Sequence, residues 1–310
     1  MTGNPCGGSL LYTPPGMRLG NLTLRLVDDG GFRLDGGAMF GVVPKVLWET
    51  KKPADERNRI QMVTNCLLVE RGDELVLVDC GIGDKNDDKF RDIFGLEEGA
   101  TRLPEQIRTA GYDLEDVTHV LLTHLHFDHC GWCTRWSEGG GELVPTFPAA
   151  TYWIARGELW NARNPTEREG ASYDPRNWEP LLEAGVVELF DDEAEPVPGV
   201  RAIKAPGHTR DMAIVVLNEG SGRPREETAI FFADLIPTAA HVPYPWIMGL
   251  DLFPLTTLET KKHWLPRAAE GGWLTIFEHD PETPIGRIVE DRPGRYRAEP
   301  VPDAVASSSG

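Results

Sequence analysis

The sequence predicts an α/β protein, a sandwich with two sheets inside and helices outside. Three observations carry that expectation. Apolar strand-like runs precede a helical stretch in each half of the chain. The polar clusters sit where those strands end. No Gly/Ser-rich linker divides the halves, so 310 residues read as one domain, long enough to bury a substantial core. The domain is expected to span residues 1–295, followed by a flexible tail, 296–310, that ends in ASSSG.

In chain order, LTLRLVDDGGFRLDG reads as two strands around a turn at Asp28-Asp29-Gly30-Gly31. The Pro-containing, polar-spaced stretch from Ala38 to Ile60 reads as an irregular loop. MVTNCLLVERGDELVLVDCGIG is a hairpin turning at RGDE, with VLVD as a buried strand. The glycines after it lack phosphate-loop spacing and its Lys-Ser/Thr, so no nucleotide site is read there. Leu103, Ile107 and Ala110 have helical spacing, and Gly111 ends that helix. DVTHVLLTHLHFDHCGW is a short apolar strand running into a polar cluster, and AATYWIARGELWNARN is a strand followed by a helix. Pro165, Pro175 and Pro180 break up the next segment into a helical insertion or cap. VVELF, GVRAIKAPGHT, DMAIVVLNE and TAIFFADLIP supply four more strands. TTLETKKHWLPRAAEGG is a long helix ending at Gly271-Gly272 that Pro266 should kink or split. WLTIFEHDP is the last buried strand.

Composition excludes several classes. With 31 Lys+Arg against 49 Asp+Glu the net charge is −18, which opposes binding DNA or RNA. The apolar runs fall well short of the ~20 residues of a membrane helix. The N-terminus lacks a basic start and a sustained apolar core, so no signal peptide is read and the cytoplasm is expected. Five scattered cysteines indicate no disulfide framework. Cys130 and Cys133 form a CxxC directly behind the polar cluster; they read as ordinary loop or core thiols.

The cluster THLHFDHCGW is where chemistry concentrates. His124 and His126 stand at i and i+2, so in extended chain their rings share a face and can share a cation. Asp128 and His129 follow where the chain turns and aim at a neighbouring point. Each pair is an incomplete site, because zinc takes about four ligands, or three and a water. Other strand ends can complete them: His208 after KAPG, Asp234 at the end of AIFFAD, and His279 at the end of LTIFEH. A carboxylate ending an apolar strand is costly to bury unless it is paired or binds metal. His119 points away from the cluster and reads as structural; His241 and His263 read as surface or supporting residues.

HLHFDH, followed in order by APGHT, FFAD and FEHD, resembles the metallo-β-lactamase superfamily over roughly residues 20–290. The resemblance implies a four-layer αββα sandwich, a single metallo-hydrolase domain, and a dinuclear metal centre at one edge of the sheets. It implies that His124, His126 and His208 hold one cation, that Asp128, His129 and His279 hold the other, and that Asp234 bridges them. Mixed imidazole and carboxylate ligands suit zinc, and also iron, manganese or cobalt. Two divalent ions would acidify a bridging water from ~15.7 towards ~7 and polarise a carbonyl or phosphoryl oxygen. Asp128 could also relay a proton to the leaving group, worth about 10²–10⁴-fold.

The pattern is most similar to the superfamily's quorum-quenching lactonases and organophosphate hydrolases. It implies a small-molecule lactone or other carboxylic ester as substrate, with phosphotriesterase or glyoxalase-II-like thioesterase activity as alternatives, and an inactive metal-binding scaffold as a further one. Met39, Phe40, Trp48, Trp153, Trp160 and Trp246 are candidates for an apolar acyl pocket. Many such lactonases carry a tyrosine shortly after the bridging aspartate; here Pro237 stands near that place, and Tyr244 is the nearest substitute as a catalytic group. His126 argues against oxygen-reducing iron relatives, which carry glutamate there. A homodimer through TYWIARGELW is expected as one possible assembly.

Overall fold

A computed structural model describes residues 16–96, 99–218 and 228–301. The first sheet begins with β1 (Met17–Leu19), β2 (Leu22–Asp35), β3 (Arg59–Arg71), β4 (Glu74–Val78) and β5 (His119–Leu121). A small ribbon, β6 (Thr134–Trp136) with β7 (Leu143–Pro145), stands apart. β8 (Thr151–Ala155) and β9 (Val187–Phe190) complete the first sheet in the order β1-β2-β3-β4-β5-β8-β9. The second sheet runs in sequence order: β10 (Glu193–Val197), β11 (Val200–Lys204), β12 (Ala213–Asn218), β13 (Thr228–Phe231), β14 (Leu274–Ile276), β15 (Ile285–Arg292) and β16 (Arg295–Pro300).

The helices are α1 (Gly36–Phe40), α2 (Lys45–Trp48), α3 (Asp88–Phe94), α4 (Leu103–Thr109), α5 (Phe127–Cys130), α6 (Arg156–Arg163), α7 (Glu179–Glu183) and α8 (Pro254–Gly271). Period-two alternation divides β3 between two cores. Leu67 and Val69 join Val200, Ala202 and Phe231 in the layer between the sheets. Cys66 and Leu68 face the other way, onto Leu103 and Ile107 of α4 and Leu159 of α6. Leu265 and Ala268 of α8 pack on the second sheet. The architecture is the expected αββα sandwich.

Several local expectations need correction. The Asp28–Gly31 stretch is not a hairpin turn: β2 continues through it, and its pairing with β3 shifts register between Asp28 and Gly31. Gly30 there has φ +104, and a Cβ would stand 1.8 Å from the Ala100 carbonyl oxygen, so only glycine fits. Residues 36–48 are not all loop, since they hold α1 and α2. Of the four strands from VVELF onward, VVELF becomes β9 at the edge of the first sheet, and the other three join the second. Pro266 lies inside an unbroken α8, which ends at Gly272 with φ 62. β14 is not the last strand; β15 and β16 extend the sheet, so the proposed tail boundary at 295/296 cuts a paired strand. Residues 302–310 of that tail lie outside the described residues. No described helix is long and apolar enough to cross a membrane.

Candidate metal centre

The first sheet's contribution starts at β5, whose Leu121 is followed by Leu122, Thr123 and the cluster. His126 is extended, with φ −66 and ψ 156, and the single turn α5 then carries Asp128 and His129. The second sheet supplies His208 after β11, Asp234 after β13 and His279 after β14. Ala233 is held at φ 46 and Asp79 at φ 56, left-handed values rarely taken outside glycine. All seven expected ligands come together in two adjoining groups: His124, His126, His208 and Asp234, and Asp128, His129 and His279.

His126 Nδ1 lies 3.1 Å from His124 Nε2 and 3.0 Å from His208 Nε2. Ring nitrogens sharing one zinc at about 2.0–2.1 Å in a tetrahedron would stand about 3.3 Å apart. Asp234 faces both groups, with Oδ2 3.1 Å from His208 Nε2 and Oδ1 3.1 Å from His279 Nε2. His279 Nε2 is also 3.3 Å from His129 Nε2 and 3.7 Å from Asp128 Oδ2.

Partners on the outer side of four of the five rings set their tautomers. His279 Nδ1 lies 2.8 Å from the Val63 carbonyl, so it must donate. His208 Nδ1 meets Asp251 Oδ1 at 3.0 Å, and Asp251 Oδ2 accepts from Thr257. His129 Nδ1 meets Asp79 Oδ2 at 3.1 Å. Thr123 donates its hydroxyl to Asp79, leaving its oxygen to accept from His124 Nδ1 at 3.1 Å. In the neutral rings, four Nε2 lone pairs therefore point inward at two carboxylates. A cluster of acceptors without donors requires protons or cations. Asp234 Oδ1 accordingly lacks a hydrogen bond despite its burial. The donor set fits divalent metal. Without it, protons are drawn in: burial opposes charging His279, yet Asp234 lifts its pKa to about 9.

Sequence reasoning missed the supporting carboxylates. Asp79, Glu158 and Asp251 are buried, and only Asp79, closing a buried strand, carried a local signal. Glu278 is fully buried beside His129, and burial, reinforced by Asp79, raises its pKa to about 8. The glycine-rich DCGIG loop packs against the cluster: Cys80 N donates to His129 O at 2.6 Å and Gly131 N to Gly81 O at 2.7 Å. Cys130 and Cys133 are buried and free, as ordinary core thiols. His119 pairs outward with Glu74 and accepts from Trp153 Nε1. His241 is not at the surface; it is buried, stacked on Phe40 and held by Thr238 and Met39.

The ligands open into a cleft of about 290 Å³ whose apolar walls include Met39, Phe94, Phe127, Met248 and Leu250, with Arg168 and Ser172 among its polar groups. Of the proposed acyl-pocket residues only Met39 lines it. Phe40 and Trp48 are buried behind it, and Trp160 is 64% exposed. Tyr244 does not line it either. Its ring lies 5.5 Å from Tyr296 in a second cavity of about 730 Å³. The chain from Pro237 onward turns at residues 239–241, whereas Asp280 ties Ala239 down, and Tyr244 is carried away from the ligands.

The sequence profile of the metallo-beta-lactamase superfamily matches residues 59–267. A probable metallo-hydrolase of Mycobacterium tuberculosis is 32% identical over 182 residues, 52% of this chain and 54% of that protein. An N-acyl homoserine lactonase from a Bacillus species is 27% identical over 167 residues, 51% of this chain and 59% of that one. The chain thus spans about half the length of these curated relatives. A solved probable metal-dependent hydrolase from Staphylococcus aureus superposes with a TM-score of 0.81 at 26% identity, covering 92% of this chain and 99% of that one. The dizinc quorum-quenching lactonase AidC shares the fold, with a TM-score of 0.76 at 21% identity over 94% of this chain and 98% of that one.

Proposed function

The chain belongs to the metallo-beta-lactamase superfamily, and from that premise we propose that it is a hydrolase of lactones or other carboxylic esters of the acyl-homoserine-lactone kind, working with two divalent cations, zinc first among them. One observation carries the reading: the two oxygens of Asp234 face two separate ligand groups at the base of an apolar-walled cleft. When bound, the cations would acidify water and polarise the substrate carbonyl.

The protein's own groups do the rest. Asp234 would hold the two ligand groups in register, with Oδ2 towards His208 and Oδ1 towards His279. Asp128 lines the cleft and is buried, placing a carboxylate where it can carry a proton to the departing alkoxide. Met39, Met248 and Leu250 exclude water from an acyl chain. With Tyr244 elsewhere, Arg168 and Ser172 are the neutral or cationic hydrogen-bond donors on the wall that can meet a substrate oxygen.

A panel of N-acyl-homoserine lactones, aryl esters, thioesters and phosphotriesters, assayed on metal-loaded protein, tests this. Lactone or ester turnover that chelator abolishes and metal restores is expected. Turnover of phosphotriesters or thioesters alone would redirect the substrate class. Full metal loading without any turnover would leave a binding scaffold. Among the described residues, the four cysteines are free, buried thiols, which suits a reducing compartment such as the cytoplasm. A homodimer through residues 151–160 would rest on Trp160, because β8 is paired on both edges; a monomeric mass in solution removes it.

A further inference from the structure

Glu158 is fully buried in α6, and no part of the hydrolytic reading uses it. Its Oε1 accepts from Leu125 N at 3.2 Å and from the Tyr173 hydroxyl at 3.0 Å. Its Oε2 accepts from the Thr209 hydroxyl at 2.7 Å. Each of these contacts adjoins the His124, His126, His208 group. Leu125 is the residue between the two cluster histidines, and Thr209 directly follows His208. The Tyr173 ring stands edge-on to His126 at 4.9 Å, and the two backbones bridge.

His126 explains why such a clamp is needed. The outer nitrogens of His124, His129, His208 and His279 each have an orienting partner. His126 Nε2 is buried and has none. A ligand ring without an outer hydrogen bond is free to rotate about χ2 unless packing stops it. At His126 the stop is the Tyr173 ring, and Tyr173 is itself held by Glu158.

We infer that Glu158 is the positioning residue of the three-histidine group, fixing the Leu125 peptide, Thr209 and Tyr173 by hydrogen bonds so that His124, His126 and His208 converge on one cation. The inference rests on the metal reading of that group. It acts through hydrogen bonds and not through charge, and this makes Glu158→Gln diagnostic. Leu125 and Tyr173 both bond to Oε1, which glutamine keeps as its carbonyl oxygen. At Oε2 the Thr209 hydroxyl can turn round and accept from the amide.

The test is competitive chelator titration of metal-depleted protein with Zn²⁺, and the visible absorption of the Co²⁺ form. Glu158→Ala should weaken one of two metal equivalents by about 10–100-fold, alter the matching Co²⁺ bands and leave the other equivalent within about threefold of wild type. Glu158→Gln should restore the affinity to within about threefold. Wild-type affinity for both equivalents in Glu158→Ala, with only its melting temperature lowered, overturns the inference. So does Glu158→Gln falling as far as Ala. If Glu158→Ala does not fold, Thr209→Val carries the test: removing the Oε2 partner should weaken the same equivalent, and unchanged affinity refutes the role. Because binding is read and not turnover, two tightly held cations without ester hydrolysis would sink the proposed function and not this one. A wild type that binds no cation sinks both.

Discussion

Asp29→Asn should destabilise the fold more than any surface change, although Asp29 lies in the stretch that reads as a hairpin turn. Its carboxylate is buried and gathers five N–H donors from three distant segments. Oδ1 accepts from Arg102 N at 2.8 Å, Leu103 N at 2.8 Å and Trp132 Nε1 at 2.6 Å. Oδ2 accepts from Ile82 N at 2.8 Å and Gly83 N at 3.0 Å. Burial pushes the pKa up to about 7 against the pull of these donors, so at pH 8 the group is the anion. Asparagine can keep one oxygen, best placed against the three donors at Oδ1. Its amide then confronts the Ile82 and Gly83 N–H groups, donor against donor. Two buried donors left unpaired cost about 1–3 kcal/mol each, so the loss should be about 2–6 kcal/mol. That is a large share of the ~5–15 kcal/mol by which domains are stable. Urea unfolding of metal-free protein at pH 8, followed by tryptophan fluorescence, measures it. A loss under ~1 kcal/mol, ordinary for a surface position, would refute the view of Asp29 as the acceptor that holds these segments together.

Asp234→Ala removes the group that faces His208 on one side and His279 on the other; on the proposed two-cation reading, chelator competition should show at least ~100-fold weaker binding at both positions, beyond the usual loss for an orienting partner, and any metal-dependent turnover should vanish. Two retained metals at full rate would make the bridging assignment wrong. Burial holds His241 neutral, with a pKa down at about 4. The unfolded chain, with a histidine near 6.5, then binds more protons below that pH. Its contribution is complete above pH 6.5 and is lost as pH falls towards 4, by up to about 3 kcal/mol. Unfolding titrations of wild type and His241→Asn over that window should diverge in slope, and parallel curves would dismiss the effect. Lys261 donates to the carbonyls of His241, Pro243 and Trp246 at 2.6, 2.8 and 3.0 Å. Lys261→Met leaves three acceptors unpaired at about 1–3 kcal/mol each, so it should cost at least about 3 kcal/mol and speed amide exchange across residues 241–246; unchanged exchange there would count against it.

The candidate ligands were legible because their chemistry is local. Two histidines at i and i+2, with an aspartate and a third histidine one turn later, have few other reasons to adjoin an apolar strand. His208, Asp234 and His279 were legible for the same reason, each closing a hydrophobic run. The period-two strands and the Gly111 and Gly272 helix ends were readable from their own residues. Register and contact were not. Asp28–Gly31 has turn chemistry, yet pairing with β3 and the Ala100 carbonyl against Gly30 make it a bulge. Tyr244 stands close after Asp234 in the chain but lies in another cavity. Asp29, Glu158, Asp251 and Lys261 leave no periodic trace, because a buried charge is justified only by partners that folding brings from elsewhere. Local residue pattern alone marked the candidate metal ligands and the alternation that builds two sheets. The orientation of the rings, the walls of the cleft and the buried carboxylates behind the rings came from tertiary packing, since those depend on donors and acceptors many residues apart.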